Sequence, residues 1–295
     1  EVYTLKDQGE RQLGLRYDLT VPFAKVISMN AGKELTLPFK RYEVGKVFRD
    51  GPVKTGRARE FYQCDVDVCG IEGSYIEAEM LSMTVLAYKR LGIDIYIEVN
   101  NRKLLEGFIV AADIPKELAS NVILSVDKLA KIGESGVKKE LAEYNIEDYK
   151  LEKLFSYFNV KIEELDKLGI TNEYFLEGKE EIKELFSYIN DLSLVQCKFT
   201  PYLARGLEIY TGTVWEVFDK EQRLTCAIGG GGRYDKMVEK FIGTSVPAVG
   251  CSIGLYSVVM LMIERNYLVP SNKLALIYDK NASYEDIMKA KIELM

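Results

Sequence analysis

The sequence predicts a mixed α/β (α+β) fold built on antiparallel strands, interrupted by a helical insertion and followed by the start of a second α/β unit. Three observations carry this expectation. Apolar and polar residues alternate from Leu37 to Gly70 around the turn-rich RDGPVKTG, the pattern of two antiparallel strands joined by a long loop. Between about Lys103 and Val195 the chain changes to charged amphipathic helices. Strand character returns at Leu203–Asp219 and Cys226–Gly229, so strands on both sides of the insertion belong to one discontinuous sheet.

Taken in order, LRYDLTVPFAK places Asp18 and Thr20 where a helix would be capped. The hairpin follows, with Arg49, Arg57 and Arg59 on and beside a loop that Gly51 and Gly56 make adaptable. Three guanidiniums there could converge on a polyphosphate, or stand in water on a surface loop. In EFYQCDVDVCG, Gln63, Asp65 and Asp67 are two apart on a strand and share one face, which is either a polar cavity or a solvent-facing sheet edge. Ser74–Leu91 spaces Ile76, Met80, Met83, Leu86 and Ala87 as a helix does, and IDIYIEVNN alternates as a strand. The insertion reads as helices at KLAKIGESGVKKELAEYN, YKLEKLFSYF and EGKEEIKELFSYIN. The run IGGGGRYDKM reads by itself as a flexible loop. SIGLYSVVMLMIER is an apolar helix whose Met260 and Met262 fill core space, and KLALIYDK after Pro270 opens a further α/β unit. The boundaries are therefore 1–102 and 196–270 for the sheet domain, 103–195 for the insertion and 271–295 for the truncated last unit.

Composition removes whole classes of chemistry. The 295 residues are 47% apolar, enough for a sizeable core, and 45 Asp plus Glu against 39 Lys plus Arg argue against indiscriminate adhesion to nucleic acid or anionic lipid. Five scattered cysteines without a C-x-x-C pair indicate neither a disulfide framework nor a zinc ribbon, and point to the reducing cytoplasm. No apolar run approaches the roughly 20 residues of a membrane helix, and no leader opens the chain. Both ends read as cuts. The chain has no histidine, which excludes Ser-His-Asp and Cys-His catalysis and imidazole metal sites. Arginine-centred chemistry that orients and neutralises phosphate remains.

Two segments, FRDGPVKTGRAREFYQCDVDVCG and ARGLEIYTGTVWE, make the chain resemble the catalytic domain of class II histidyl-tRNA synthetases, over roughly residues 1–100 and 195–268. The resemblance implies a class II synthetase-type antiparallel sheet flanked by helices, with the last unit starting an anticodon-binding domain. It implies that Arg49 contacts the amino-acid carboxylate and the ATP α-phosphate, that Arg57 and Arg59 reach ATP phosphates, and that Gln63 and Asp67 touch histidine, Asp67 facing the imidazole. Asp18, Leu19 and Thr20 would hold the α-amino group. Arg205 would stand near the reacting carboxylate and α-phosphate, Ile209 and Tyr210 beside the histidine, and IGGGGRYDKM would be a glycine-rich strand and turn that places Gly230 and Gly231 near the ATP site. The implied function is ATP-dependent activation of L-histidine and transfer to tRNA(His), with Mg2+ accompanying ATP, in a cytoplasmic homodimer without membrane attachment. One departure stands out in PAVGCSIGLYSVV: the family commonly has Glu-Arg after Gly-Leu, and here the pair is Tyr256-Ser257. The alternative that departure raises is a non-catalytic paralogue that binds histidine and regulates its biosynthesis.

Overall fold

The computed structural model describes residues 2–265, apart from 32, 34, 54, 207 and 208, together with residues 283–293. The chain divides into two compact units, 1–261 and 262–295. In the first, a short ribbon of β1 (Thr4–Lys6) and β2 (Gln12–Gly14) precedes α1 (Thr20–Asn30), which buries Phe23, Ala24 and Ile27. The alternating segment forms the hairpin β3 (Phe39–Phe48) and β4 (Glu60–Cys69). Helix α2 (Tyr75–Arg90) and strand β5 (Ile95–Asn101) follow within the stretches Ser74–Leu91 and IDIYIEVNN that their periodicities predict.

The next stretch is helical: α3 (Arg102–Ala111), α4 (Ala119–Val126), α5 (Leu129–Ala142), α6 (Asp148–Ser156) and α7 (Glu173–Asp191). Asn101 anchors it at both ends, since its Oδ1 accepts from Lys103 N at 2.9 Å and its Nδ2 donates to Glu181 Oε2 at 2.7 Å. α3 and α7 approach so closely that a Cβ on Gly107 would strike the Phe175 backbone, and one on Gly178 the Leu104 backbone.

The chain then returns to the sheet through β6 (Cys197–Phe199), β7 (Thr213–Asp219) and β8 (Gly229–Arg233). It continues through α8 (Lys236–Ile242) to β9 (Ala248–Gly254) and α9 (Leu255–Glu264). The sheet has seven strands in the order β3-β4-β9-β8-β7-β5-β6, antiparallel throughout except for the β5–β6 pair. One face packs on α2, where the Tyr88 hydroxyl donates to Ile228 O at 2.8 Å and Thr84 Oγ1 lies 3.8 Å from Cys251 Sγ. The other face carries Gln63, Asp65, Asp67 and Ser252.

One local expectation changes. The described residues of 203–212 are irregular rather than a strand; Arg205 donates to Trp215 O of β7, and the segment meets the sheet at its end, where Thr211 N donates to Arg233 O at 2.9 Å and Gly212 O accepts from Arg102 N at 2.8 Å. The glycine run, which by itself reads as a loop, is the glycine-rich strand that the resemblance implies: β8 is buried at the centre of the sheet, and large side chains from neighbouring elements occupy the space where its Cβ atoms would stand. In the second unit the described residues form α10 (Tyr284–Glu293), with Ser283 Oγ accepting from Asp286 N at 3.1 Å. The strand expected at KLALIYDK lies outside the described residues. Among the described residues, no helix is long and apolar enough to cross a membrane.

Candidate active site

Strand alternation brings Gln63, Asp65 and Asp67 onto one face, where they are buried (8%, 3% and 2% exposed) rather than lying along a solvent-facing edge. A buried carboxylate needs partners. Asp67 has them: its cross-strand neighbour Arg41 brings Nη2 to 2.9 Å and Nε to 3.1 Å from Oδ2, and the Tyr234 hydroxyl donates to Oδ1. Burial still pushes the Asp67 pKa upward, with Arg41 and Tyr234 opposing. The same guanidinium donates to Leu19 O at 2.8 Å, pairs with Glu43 and stacks 4.3 Å from the Phe23 ring centre.

Arg49 leaves the end of β3 between two aromatic rings, 4.4 Å from the centre of Tyr17 and 5.2 Å from that of Phe61. Its Nε donates to Tyr17 O at 3.3 Å, and its two Nη groups make no hydrogen bond among the described residues. Arg205 lies across β7 and β8, donating to Trp215 O at 3.1 Å and covering the Tyr210 ring at 5.3 Å. It fits because position 230 has no Cβ. Glu216 and Asp127 face Arg205; burial raises both pKa values and the guanidinium counters it.

These groups meet in one cleft lined by Asp18, Thr20, Arg49, Gln63, Asp65, Asp67, Arg205, Ile209, Tyr210, Gly230 and Gly231, with Tyr234, Gly250, Cys251 and Ser252. Asp18 also does what a capping residue does, its Oδ1 accepting from Val21 N at 2.9 Å. Three expected residues lie elsewhere. The Leu19 side chain is wholly buried in the core and offers only its carbonyl, which Arg41 occupies. Arg57 and Arg59 are exposed on the hairpin loop, where Arg59 Nε donates to Gly51 O at 3.0 Å. Ser257, in place of the arginine common in the family, is buried and donates to Gly56 O at 3.3 Å, tying that loop to α9. Leu207 and Glu208 of the RGLEIYTG string lie outside the described residues.

Sequence reasoning did not reach Arg41, Tyr234, Ser252, Asp127 or Glu216, nor give Asp65 a role of its own. Arg41 had a usable signal, because aligning the hairpin places it opposite Asp67. Asp127 comes from the insertion, and no local pattern connects it to Arg205.

The fold is that of a class II aminoacyl-tRNA synthetase core: the solved histidyl-tRNA synthetase of Nostoc sp. PCC 7120 matches with a TM-score of 0.79 at 30% identity, over 91% of this chain and 64% of that one. A Bacillus halodurans structure described as an ATP phosphoribosyltransferase regulatory subunit/histidyl-tRNA synthetase shares the fold, with a TM-score of 0.75 at 20% identity over 88% of this chain and 68% of that one. The chain belongs to the histidyl-tRNA synthetase family, whose model matches residues 1–258. Histidine--tRNA ligase 1 of Bacillus cereus is 47% identical over 262 residues, 86% of this chain and 61% of the relative. The histidine--tRNA ligase of Clostridium tetani is 40% identical over 260 residues, 84% of this chain and 58% of the relative. The chain thus spans about three fifths of the length of these curated relatives.

Proposed function

We propose that the protein activates L-histidine with ATP to histidyl-adenylate and pyrophosphate, and passes the histidyl group to tRNA(His). The observation that carries this reading is the convergence of Arg49 and Arg205 with Asp67 and Tyr210 in one cleft, in a chain 47% identical to a protein named as a histidine--tRNA ligase. The carboxylate nucleophile is ionised at neutral pH and needs no base. The chain's task is to hold the carboxylate in line with the α-phosphorus and to neutralise the charge that gathers there. Arg49, held by aromatic rings with its Nη groups outward, and Arg205, fixed on a backbone carbonyl, are pre-aimed for that work. Asp67, held in place by Arg41 and Tyr234, faces the imidazole with the lone pairs those two donors leave on its carboxylate, and a side chain without a matching donor forgoes that charged hydrogen bond.

Among the described residues no group of three or more Asp, Glu or Cys side chains converges where it could hold a metal ion. Mg2+ would therefore be held mainly by the ATP phosphates, where it would supply charge neutralisation. Homodimer formation is supported by exposed apolar residues on the edge strand β3, and a reducing cytoplasmic setting by five free cysteines.

Ser257 raises a second reading, a histidine-binding regulator without adenylation, which the relatives named as ligases do not favour. Histidine-dependent exchange of labelled pyrophosphate into ATP by the full-length protein, lost in Arg205→Ala, supports the ligase. No exchange, with histidine binding intact, supports the regulator.

A further inference from the structure

Asp67 has both its oxygens engaged, but its neighbour on the same strand face does not. Asp65 is 3% exposed, its Oδ1 has no hydrogen-bond partner, and it lines the cleft. Gln63, two residues away, shows the same pattern: its Nε2 donates to Ser252 Oγ at 2.7 Å, while its Oε1 has no partner. The Ser252 hydroxyl, having accepted from Gln63, donates to Asp65. The Gln63 amide is thereby turned so that its carbonyl end is left over. Two acceptors side by side, buried and unsatisfied, define a place for a ligand with several donors and a positive charge. Asp18 and Thr20 line the same cleft and add further acceptors.

We propose that Asp65 is a further substrate-binding residue, taking the α-ammonium group of the amino acid on its open oxygen together with the Gln63 carbonyl. This rests on the amino-acid-activating reading of the cleft. The charges around Asp65 agree with it. Asp67 and Asp18 repel its negative charge, and Arg41, the nearby cation, is engaged with Asp67 and Glu43. Tyr210, Cys64 and Cys251, also close by, are all shifted upward by burial and stay neutral. With burial uncompensated, the Asp65 carboxyl is pushed up to about 7, and an arriving ammonium supplies the missing countercharge.

The test compares two probes on the full-length protein by titration calorimetry: L-histidinol, which keeps the ammonium and imidazole, and imidazolepropionate, which lacks the ammonium. Asp65→Asn is expected to weaken histidinol binding by about tenfold to a hundredfold, the worth of a charged hydrogen bond, and to leave imidazolepropionate binding unchanged. Retained imidazolepropionate binding also reports an intact fold. Below about pH 7, histidinol is expected to displace more protons from the unmodified protein than from the variant, because the ammonium selects the ionised carboxylate. Equal weakening of both probes, or undiminished histidinol binding with equal proton release, overturns the assignment. Unmodified protein that binds neither compound overturns the histidine reading, and the Asp65 assignment with it.

Discussion

Removing the Arg41 guanidinium would leave Asp67 buried and without its cation, and would also release the carbonyl of Leu19. Breaking a buried pair from one side costs about 3–5 kcal/mol, so Arg41→Met should lower the denaturant midpoint sharply. Adding Asp67→Asn should restore much of that loss, because the stranded charge goes with it; a double-mutant cycle in urea reads the coupling. Asp65 predicts a pH effect of definite sign. Its folded pKa of about 7 stands above the ordinary 3.8, so between these values the folded chain keeps a proton that the unfolded chain has released. Its contribution to stability therefore falls as pH rises from about 4 to about 7. Asp65→Asn removes that slope, and should gain on the unmodified protein by at most about 4 kcal/mol across the window, measured by denaturation at several pH values without ligand.

At the scale of elements, the crossing of α3 and α7 depends on Gly107 and Gly178 in the same way that a joint depends on clearance. In an open helix Gly→Ala gains about 1 kcal/mol of helix propensity. Here the added methyl meets backbone, so Gly178→Ala should instead lower the melting temperature, by an overpacking cost of about 1–3 kcal/mol that exceeds the propensity gain. The hairpin, α2 and β5 were legible in the sequence because burial on one face imposes a period, and a period survives in the residue order. β8 was legible only through the resemblance and not from composition, since glycine has the composition of a loop and its strand is dictated by Arg205, Trp215 and Tyr210, which belong to other segments. The 203–212 segment misled in the opposite sense, alternating like a strand while its arginine anchors it across the sheet. Within the cleft, the residues in recognisable strings could be read. Leu19 could not be separated from Asp18 and Thr20, because nothing in a tripeptide says which of its side chains turns toward the core.

For the whole molecule, the cleft is assembled from regions far apart in sequence, around 18–20, 41–67, 205–210 and 230–252, so it exists only once the sheet has closed. The outer strand of that sheet, β3, exposes Tyr42 (79%) and Val44 (52%), apolar side chains beside an open row of backbone groups. Natural sheets protect such an edge or use it. Tyr42→Lys combined with Val44→Lys should convert a dimer to a monomer in sedimentation experiments on the full-length protein; a dimer unaffected by both substitutions would place the interface elsewhere.

The glycine strand at the centre of the sheet has a consequence for heredity. Every amino acid reachable from a glycine codon by one base change carries a Cβ. At Gly230, Gly231 and Gly232 that atom would meet the Arg205 guanidinium, the Trp215 ring and the Tyr210 ring respectively. Backbone carbonyls of Trp215, Gly250 and Thr213 would stand within 2.7 Å of the same atoms, so changing the facing side chains would not make room, and a lineage is left with the silent changes of the third codon base.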